Sequence, residues 1–205
     1  MTAADGLTDI YGVIYRPSDF SPDKLYPVID QSFIGHPMPV VARSSFRTGA
    51  DISFYEAASL AELGFIVLQI DGRGAAFRSK AFKDECYGWR DSEGNLDDHV
   101  ASIKQLAKQH PYMDLNRVGI VGLQIGGNGA LRGLLEHPDF YNVGVVGEIY
   151  DQRLMQSNSG DMYEGSKPDP TGKYLEELVG NLKGKLLITV GLLDFVPPAT
   201  TFRVV

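Results

Sequence analysis

Residues 118–129 read VGIVGLQIGGNG, an apolar run that breaks into a burst of glycines. An uninterrupted stretch of this kind predicts a strand covered on both faces. The glycines behind it let the backbone turn sharply and pack closely before a helix begins. The frame is G-x-x-x-G, filled as Gly122-Leu123-Gln124-Ile125-Gly126. When such a strand-to-helix turn has the form G-x-S-x-G, its central serine is a nucleophile. Here the centre is Gln124, and the rest of the chain has to account for that.

Working outward, strand-like and helix-like segments alternate. Upstream, IYGVIY (10–15) alternates in polarity and stops at a turn-rich stretch, and YPVIDQSFIG (26–35) is a continuous apolar strand broken by Gly35, His36 and Pro37. SFYEAASLAEL (53–63) has helical spacing, closes on Gly64 and feeds the buried run FIVLQIDGRG. Residues 74–96 read as a polar loop. DDHVASIKQLAKQH (97–110) repeats Val100, Ile103, Leu106 and Ala107, with acids at its start and bases toward its end, as an amphipathic helix should. Downstream come a helix (GNGALRGLLEH), a strand (NVGVVGEIY), an excursion over 157–173 and a further strand, KLLITVGLLD (185–194). This alternation predicts one α/β domain over residues 1–205, with a mostly parallel sheet and helices on both faces.

Composition removes several functions. The chain has 205 residues, 43% hydrophobic and 22% charged, enough for one domain with a real core. Its formal charge of −7 disfavours nucleic acid and anionic membrane as partners, since both need surplus Lys and Arg. Cys86 is the single cysteine, so no internal disulfide forms, and its acidic surroundings in DECYGWRD make it structural rather than nucleophilic. The start, MTAADGLTD, has no basic segment leading into an apolar one, and no run has the length of a membrane span; the default compartment is the cytoplasm. No His/Cys/Asp/Glu group has metal-ligand spacing, and no cofactor is expected. The string GLQIGGNG also approaches a dinucleotide-binding turn, and YEGSK (163–167) supplies a Y-x-x-x-K pair. Asn128 at the third glycine position and the mid-chain location argue against that reading.

Taken in order, LGFIVLQIDGRG, SKAFKDECYG, LDDHVASIKQLAKQHPYMDLNRVGIVG, GNGALRGLLEHPDFYNVGV and VGLLDFV resemble the catalytic domain of the prolyl oligopeptidase family, above all its dipeptidyl-peptidase IV branch. The resemblance implies an α/β-hydrolase fold and serine-peptidase ancestry. It also implies that the family's last strand and histidine-bearing segment, which follow the acid loop, have no counterpart before Val205.

Tested position by position, the implied chemistry is incomplete. The triad needs a serine, a histidine that takes its proton and a carboxylate that orients the histidine. The elbow glycines persist at 122, 126 and 127, but the nucleophile position is Gln124, whose amide is neither basic nor usefully nucleophilic. Asp194 matches the triad acid. His99, His110 and His137 read as surface or capping residues of helices, and His36 is the one loop histidine. Of two oxyanion donors, the backbone N–H of Ile125 remains. The family's tyrosine hydroxyl is matched by Phe33, and losing one such donor costs roughly a hundredfold or more in rate. In the substrate pocket Gln152, Met155 and Ser159 stand where aromatics are expected, Tyr163 keeps its ring, and Val196 replaces an asparagine.

The reading is therefore a catalytically impaired or inactive member of a serine-peptidase family, with a vestigial pocket for a peptide or small molecule. The alternative is a peptidase or esterase with residual or rearranged activity. Leu186, Leu187, Ile188 and Val190 further predict an apolar sheet edge and a homodimer through it.

Overall fold

A computed structural model of the chain describes residues 1–32, 39–41, 52–85, 95–149, 173–194 and 196–205, with the backbone alone described at 52–55 and 125. Its strands are β1 (Tyr11–Tyr15), β2 (Tyr26–Gln31), β3 (Ile66–Asp71), β4 (Met113–Leu123), β5 (Val143–Gly147) and β6 (Lys185–Thr189). Its helices are α1 (Ile52–Glu62), α2 (Lys80–Asp84), α3 (Leu96–Gln109), α4 (Ile125–Glu136), α5 (Leu175–Leu178) and α6 (Pro198–Phe202), with a 3-10 turn at Val179–Asn181. The strands form one six-stranded sheet in the order β1-β3-β2-β4-β5-β6. Only β1 runs antiparallel to its neighbour, and the other pairs are parallel.

This order follows from handedness. The crossover from β2 through α1 to β3 winds toward β1, whereas those from β3 through α3 to β4 and from β4 through α4 to β5 wind the other way. Right-handed crossovers in opposite directions put their helices on opposite faces. The two cores agree. Ala57 and Ala61 of α1 pack with Ile29 and Val67 on one face. Ile103 and Leu106 of α3 and Leu131, Leu134 and Leu135 of α4 pack with Val28, Leu68, Ile120 and Val146 on the other. Buried on both sides, β3 reads as the unbroken run IVLQID, and its polar Gln69 is bonded to Gln31 at 3.0 Å and to the Tyr15 hydroxyl at 2.9 Å.

Among the described residues, the α1 face is covered over only half the sheet. Val121, Val145 and Leu187 stand in register across β4, β5 and β6. Beyond α1, Val143 is 42%, Val145 37% and Leu187 57% exposed. Among the described residues β6 is an outer strand, as the sequence predicts.

Several details differ from the sequence reading. The loop over 74–96 contains α2, started by Ser79, whose hydroxyl accepts from the Phe82 N–H at 3.2 Å. Strand β4 starts at Met113, because Met113 and Asp114 pair with Tyr26 and Pro27 before an irregularity in β2. Asp98 is not a solvated charge at a helix start. It is fully buried and accepts hydrogen bonds from the Ala4 N–H (2.9 Å), the Arg73 N–H (2.9 Å) and Arg73 Nε (3.0 Å). The Arg73 side chain, only 17% exposed, is held above its usual pKa first by that hydrogen bond and then by the charges of Asp98, Asp5 and Glu85, against burial, which lowers it. Thus the GRG turn anchors the N-terminal segment and the β3–α2 loop to α3. His99, read as a surface residue, is 1% exposed, and its ring Nδ1 lies 3.0 Å from Asp30 Oδ1. None of the helices among the described residues is long and apolar enough to cross a membrane.

Asp98→Ala takes from Arg73 its buried carboxylate partner, with Asp5 and Glu85 remaining at 3.4 and 3.6 Å, and leaves two backbone N–H groups unmet. Breaking a buried pair from one side is strongly destabilising, so we expect a loss of about 3 kcal/mol, read from the urea unfolding midpoint at unchanged slope.

Candidate active site

The direction of winding reverses between β2 and β4, and in open α/β sheets ligands bind outside the carboxyl ends of strands at such a reversal. Gln124 sits there, immediately after β4 and as the N-cap of α4. Its backbone is at φ 56°, ψ −118°, a positive φ that non-glycine residues rarely adopt. The glycines around it explain the turn. A Cβ on Gly122 would lie 1.9 Å from the Gly126 carbonyl oxygen, and one on Gly127 would lie 2.2 Å from that of Gly147. Strand, turn and helix therefore approach more closely than side chains allow. The Gln124 N–H donates to the Gly147 carbonyl at 3.0 Å, and the Asn128 N–H donates to the Gln124 carbonyl at 3.1 Å, opening the helix. The Gln124 side chain is exposed at the apex. Ile125 is the first residue of α4, where N–H groups have no intrahelical acceptor and the helix presents its positive end.

The next two strands end alongside. Gly147 and Thr189 are in register with each other and with Leu123, and the Glu148 N–H, from a residue at φ 49°, donates to the Thr189 carbonyl at 2.9 Å. Asp194 follows β6, in a loop that leaves the same edge two strands from Gln124. At strand spacings of about 4.8 Å, the two loops emerge on the order of 10 Å apart. Asp194 is half-buried, and its Oδ1 accepts from the Val196 N–H at 3.3 Å. A Cβ on Gly191 would come within 2.8 Å of Asp194 Oδ2, so the carboxylate folds back over its own turn. Val196 is buried, and Thr200 fixes α6 by donating to the Ile149 carbonyl at 2.8 Å.

The described histidines lie elsewhere. His137 caps the far end of α4 and places Nε2 3.2 Å from Asp97 Oδ1; His110 ends α3 and packs by Tyr112; His99 bonds Asp30 beneath the sheet. His36, Phe33, Gln152, Met155, Ser159 and Tyr163 lie outside the described residues. Among the described residues, no group of three or more His, Cys, Asp or Glu is placed to hold a metal ion. A cleft of about 380 Å³ by the β3–α2 loop is lined by Thr8, Arg73, Arg78, Ser79, Phe82 and Glu85, and includes none of the residues expected at the site.

Residues 50–205 match the model of the prolyl oligopeptidase family. The chain belongs to the prolyl oligopeptidase family. It is 30% identical over 199 residues to dipeptidyl peptidase 8 of Mus musculus, covering 90% of this chain and 21% of that protein. The Homo sapiens protein of the same name is 29% identical over an equal span. Among solved structures, Porphyromonas gingivalis dipeptidyl peptidase 4 superposes with a TM-score of 0.74 at 25% identity, over 99% of this chain and 28% of that one. The α/β-hydrolase fold is thereby shown. The chain spans about a fifth of the length of these curated relatives.

The sequence reading missed the polar cluster under β2, where Asp30 meets both His99 and Tyr141. A signal was present: Leu96, His99, Ile103 and Leu106 share one helical face, and Asp30 interrupts an apolar strand.

The elbow yields a pair of expectations opposite in sign. Gln124→Gly removes the positive-φ strain and stabilises the fold by about 1 kcal/mol. Gly127→Ala drives a methyl group into the Gly147 carbonyl and destabilises by at least about 2 kcal/mol. Urea titration of both variants checks the pair.

Proposed function

We propose that this chain is a prolyl oligopeptidase-type hydrolase domain that keeps the scaffold of its family and lacks peptidase turnover. The observation that carries this reading is Gln124 at the apex of an intact elbow. Everything the turn does for a nucleophile is present, including exposure at the switch point and an adjacent helix N-terminus, but an amide cannot form an acyl-enzyme. Phe33 in place of the family's tyrosine, and Met155 and Ser159 in place of pocket aromatics, point the same way and leave a site suited to holding a peptide or small molecule without cleaving it. Asp194 then acts as a loop-capping acid, consistent with its bond to the Val196 N–H. Residual or rearranged esterase activity is the competing reading, and it needs a nucleophile other than Gln124.

The test is direct. The chain should show no turnover of Xaa-Pro substrates above the buffer rate and no labelling by a fluorophosphonate. Gln124→Ser alone should recover little, because none of the described histidines stands beside the elbow and a serine without its base is nearly as ineffective as no triad at all. Turnover that disappears on Asp194→Ala would overturn the reading, whereas strong activity from Gln124→Ser would show that a histidine of this chain, His36 first, serves as base.

We further propose a second copy of the chain as partner at β6. Neither proline nor charge interrupts residues 186–189, and the exposed Leu187 continues onto the bare Val143 and Val145. An antiparallel twofold centred on Leu187 sets Lys185 against Thr189, so no like charges meet. It also turns the basic end of each strand, Lys183 and Lys185, toward the end carrying Glu148 and Asp194. Light scattering is expected to give a dimer that Leu187→Lys returns to monomer; a monomer at high concentration with fast amide exchange at 186–189 would refute it.

A further inference from the structure

Beneath the sheet, away from Gln124 and Asp194, three ionisable side chains meet in the apolar core. Asp30 on β2 and Tyr141 in the α4–β5 turn are 0% exposed, and His99 on α3 is 1% exposed. His99 Nδ1 lies 3.0 and 3.1 Å from the Asp30 carboxylate oxygens, and the Tyr141 hydroxyl donates to Oδ2 at 2.8 Å. Tyr141 belongs to the larger core, together with Val28, Ile103, Ile120 and Leu134. The carboxylate has only acceptors to offer, so Nδ1 carries a proton and donates. A buried carboxylate is tolerated when it is both hydrogen-bonded and charge-paired, and among the described residues the imidazole is the group placed to supply the charge.

We propose that Asp30, His99 and Tyr141 form a proton-operated latch, in which an imidazolium at His99 holds α3 against β2 and loss of its second proton slackens that contact. The proton leaves from Nε2 to water. Nδ1–H stays bonded to Asp30, so what disappears is the countercharge and not the hydrogen bond. The latch joins α3 to the strand whose carboxyl end borders the switch-point crevice.

The electrostatics give the direction. Burial lowers the His99 pKa, but the charge and hydrogen bond of Asp30, with the charges of Asp98 on α3 and Asp71 on β3, outweigh it and hold the group above its ordinary value. Tyr141 is pushed well up, by burial first and then by the Asp30 charge, and remains a donor throughout. A folded pKa above the unfolded one means that the stabilisation is fully present below about 6.5 and is lost as the pH rises through the folded value. The latch therefore opens on the alkaline side.

The experiment combines an imidazole NMR titration of the wild-type chain with urea midpoints between pH 6 and pH 10. His99 should titrate above 6.5 with Nδ1 protonated throughout. The folding constant should fall by up to tenfold per pH unit across that titration, the limit for a single proton. An Asp30→Leu/His99→Leu double variant, which replaces the pair by packed apolar groups, should fold and lose that slope, whereas His137→Gln, which removes the surface pair with Asp97, should keep it. If His99 titrates at or below 6.5, or the double variant retains the slope, the latch is wrong. If the double variant does not fold, the wild-type His99 titration and its coincidence with the stability loss decide alone. The test does not involve Gln124, so it stands or fails separately from the loss of turnover.

Discussion

The carbonyl oxygen of Gly147 would lie 2.2 Å from a Cβ on Gly127, and that of Gly126 1.9 Å from one on Gly122. These two approaches hold the carboxyl ends of β4 and β5 against the first turn of α4. Once they are made, the direction of the chain is fixed: β4 must reverse into a helix on one face and return as the parallel strand β5. Leu131, Leu134 and Leu135 then fall on the same face as Ile103 and Leu106, which closes the larger core. The strain at Gln124 is a by-product of the same packing. A turn that short has to place some residue at positive φ, and it does so regardless of the chemistry of that residue.

The smaller core is more local. Helix α1 covers β1, β3 and β2 through Ala57 and Ala61, and stops there. Across β4, β5 and β6 the same face carries Val143, Val145 and Leu187 in contact with solvent. An apolar surface contiguous with the outer edge of a strand is unfavourable in water, and among the described residues the protections seen elsewhere are missing from it. At the opposite edge, the Arg78 guanidinium lies 5.0 Å from the centre of the Tyr11 ring beside β1, and a charge at an edge discourages further pairing. The two edges thus present different surfaces to any approaching strand.

Most of the α/β architecture was legible because it depends on burial, and burial leaves a periodic trace. Runs such as FIVLQID and VGIVGL are continuous because both faces are covered, and α3 announces its amphipathic stripe over four turns. The helices at 80–84 and 175–178 were not legible, since a single turn has no period to detect. At the candidate site, Gln124 was legible because glycine spacing encodes a close approach directly. The pairing of Asp30 with His99 was not, for a different reason. Each lies on an apolar face, but nothing local says that two polar residues sixty-nine positions apart will meet. Only the crossover that lays α3 over β2 brings them together.

That pairing also explains how a sheet this apolar carries so many polar side chains inside it. Gln31 and Gln69 satisfy each other on the α1 side, with Tyr15 and Glu56 closing the chain at its ends. Asp71 receives the Val40 N–H at 2.7 Å and so secures the backbone there. Asp98 gathers the N-terminal segment and Arg73. Gln31, Gln69 and Asp71 sit toward the carboxyl half of their strands, and Asp98 at the head of α3. Buried polar groups are costly unless fully partnered, and their partners here are segments that hydrophobic packing alone would leave free to slide. The apolar core sets which elements pack together. The polar pairs set where their ends are held, and the position of the loops around Gln124 follows from both.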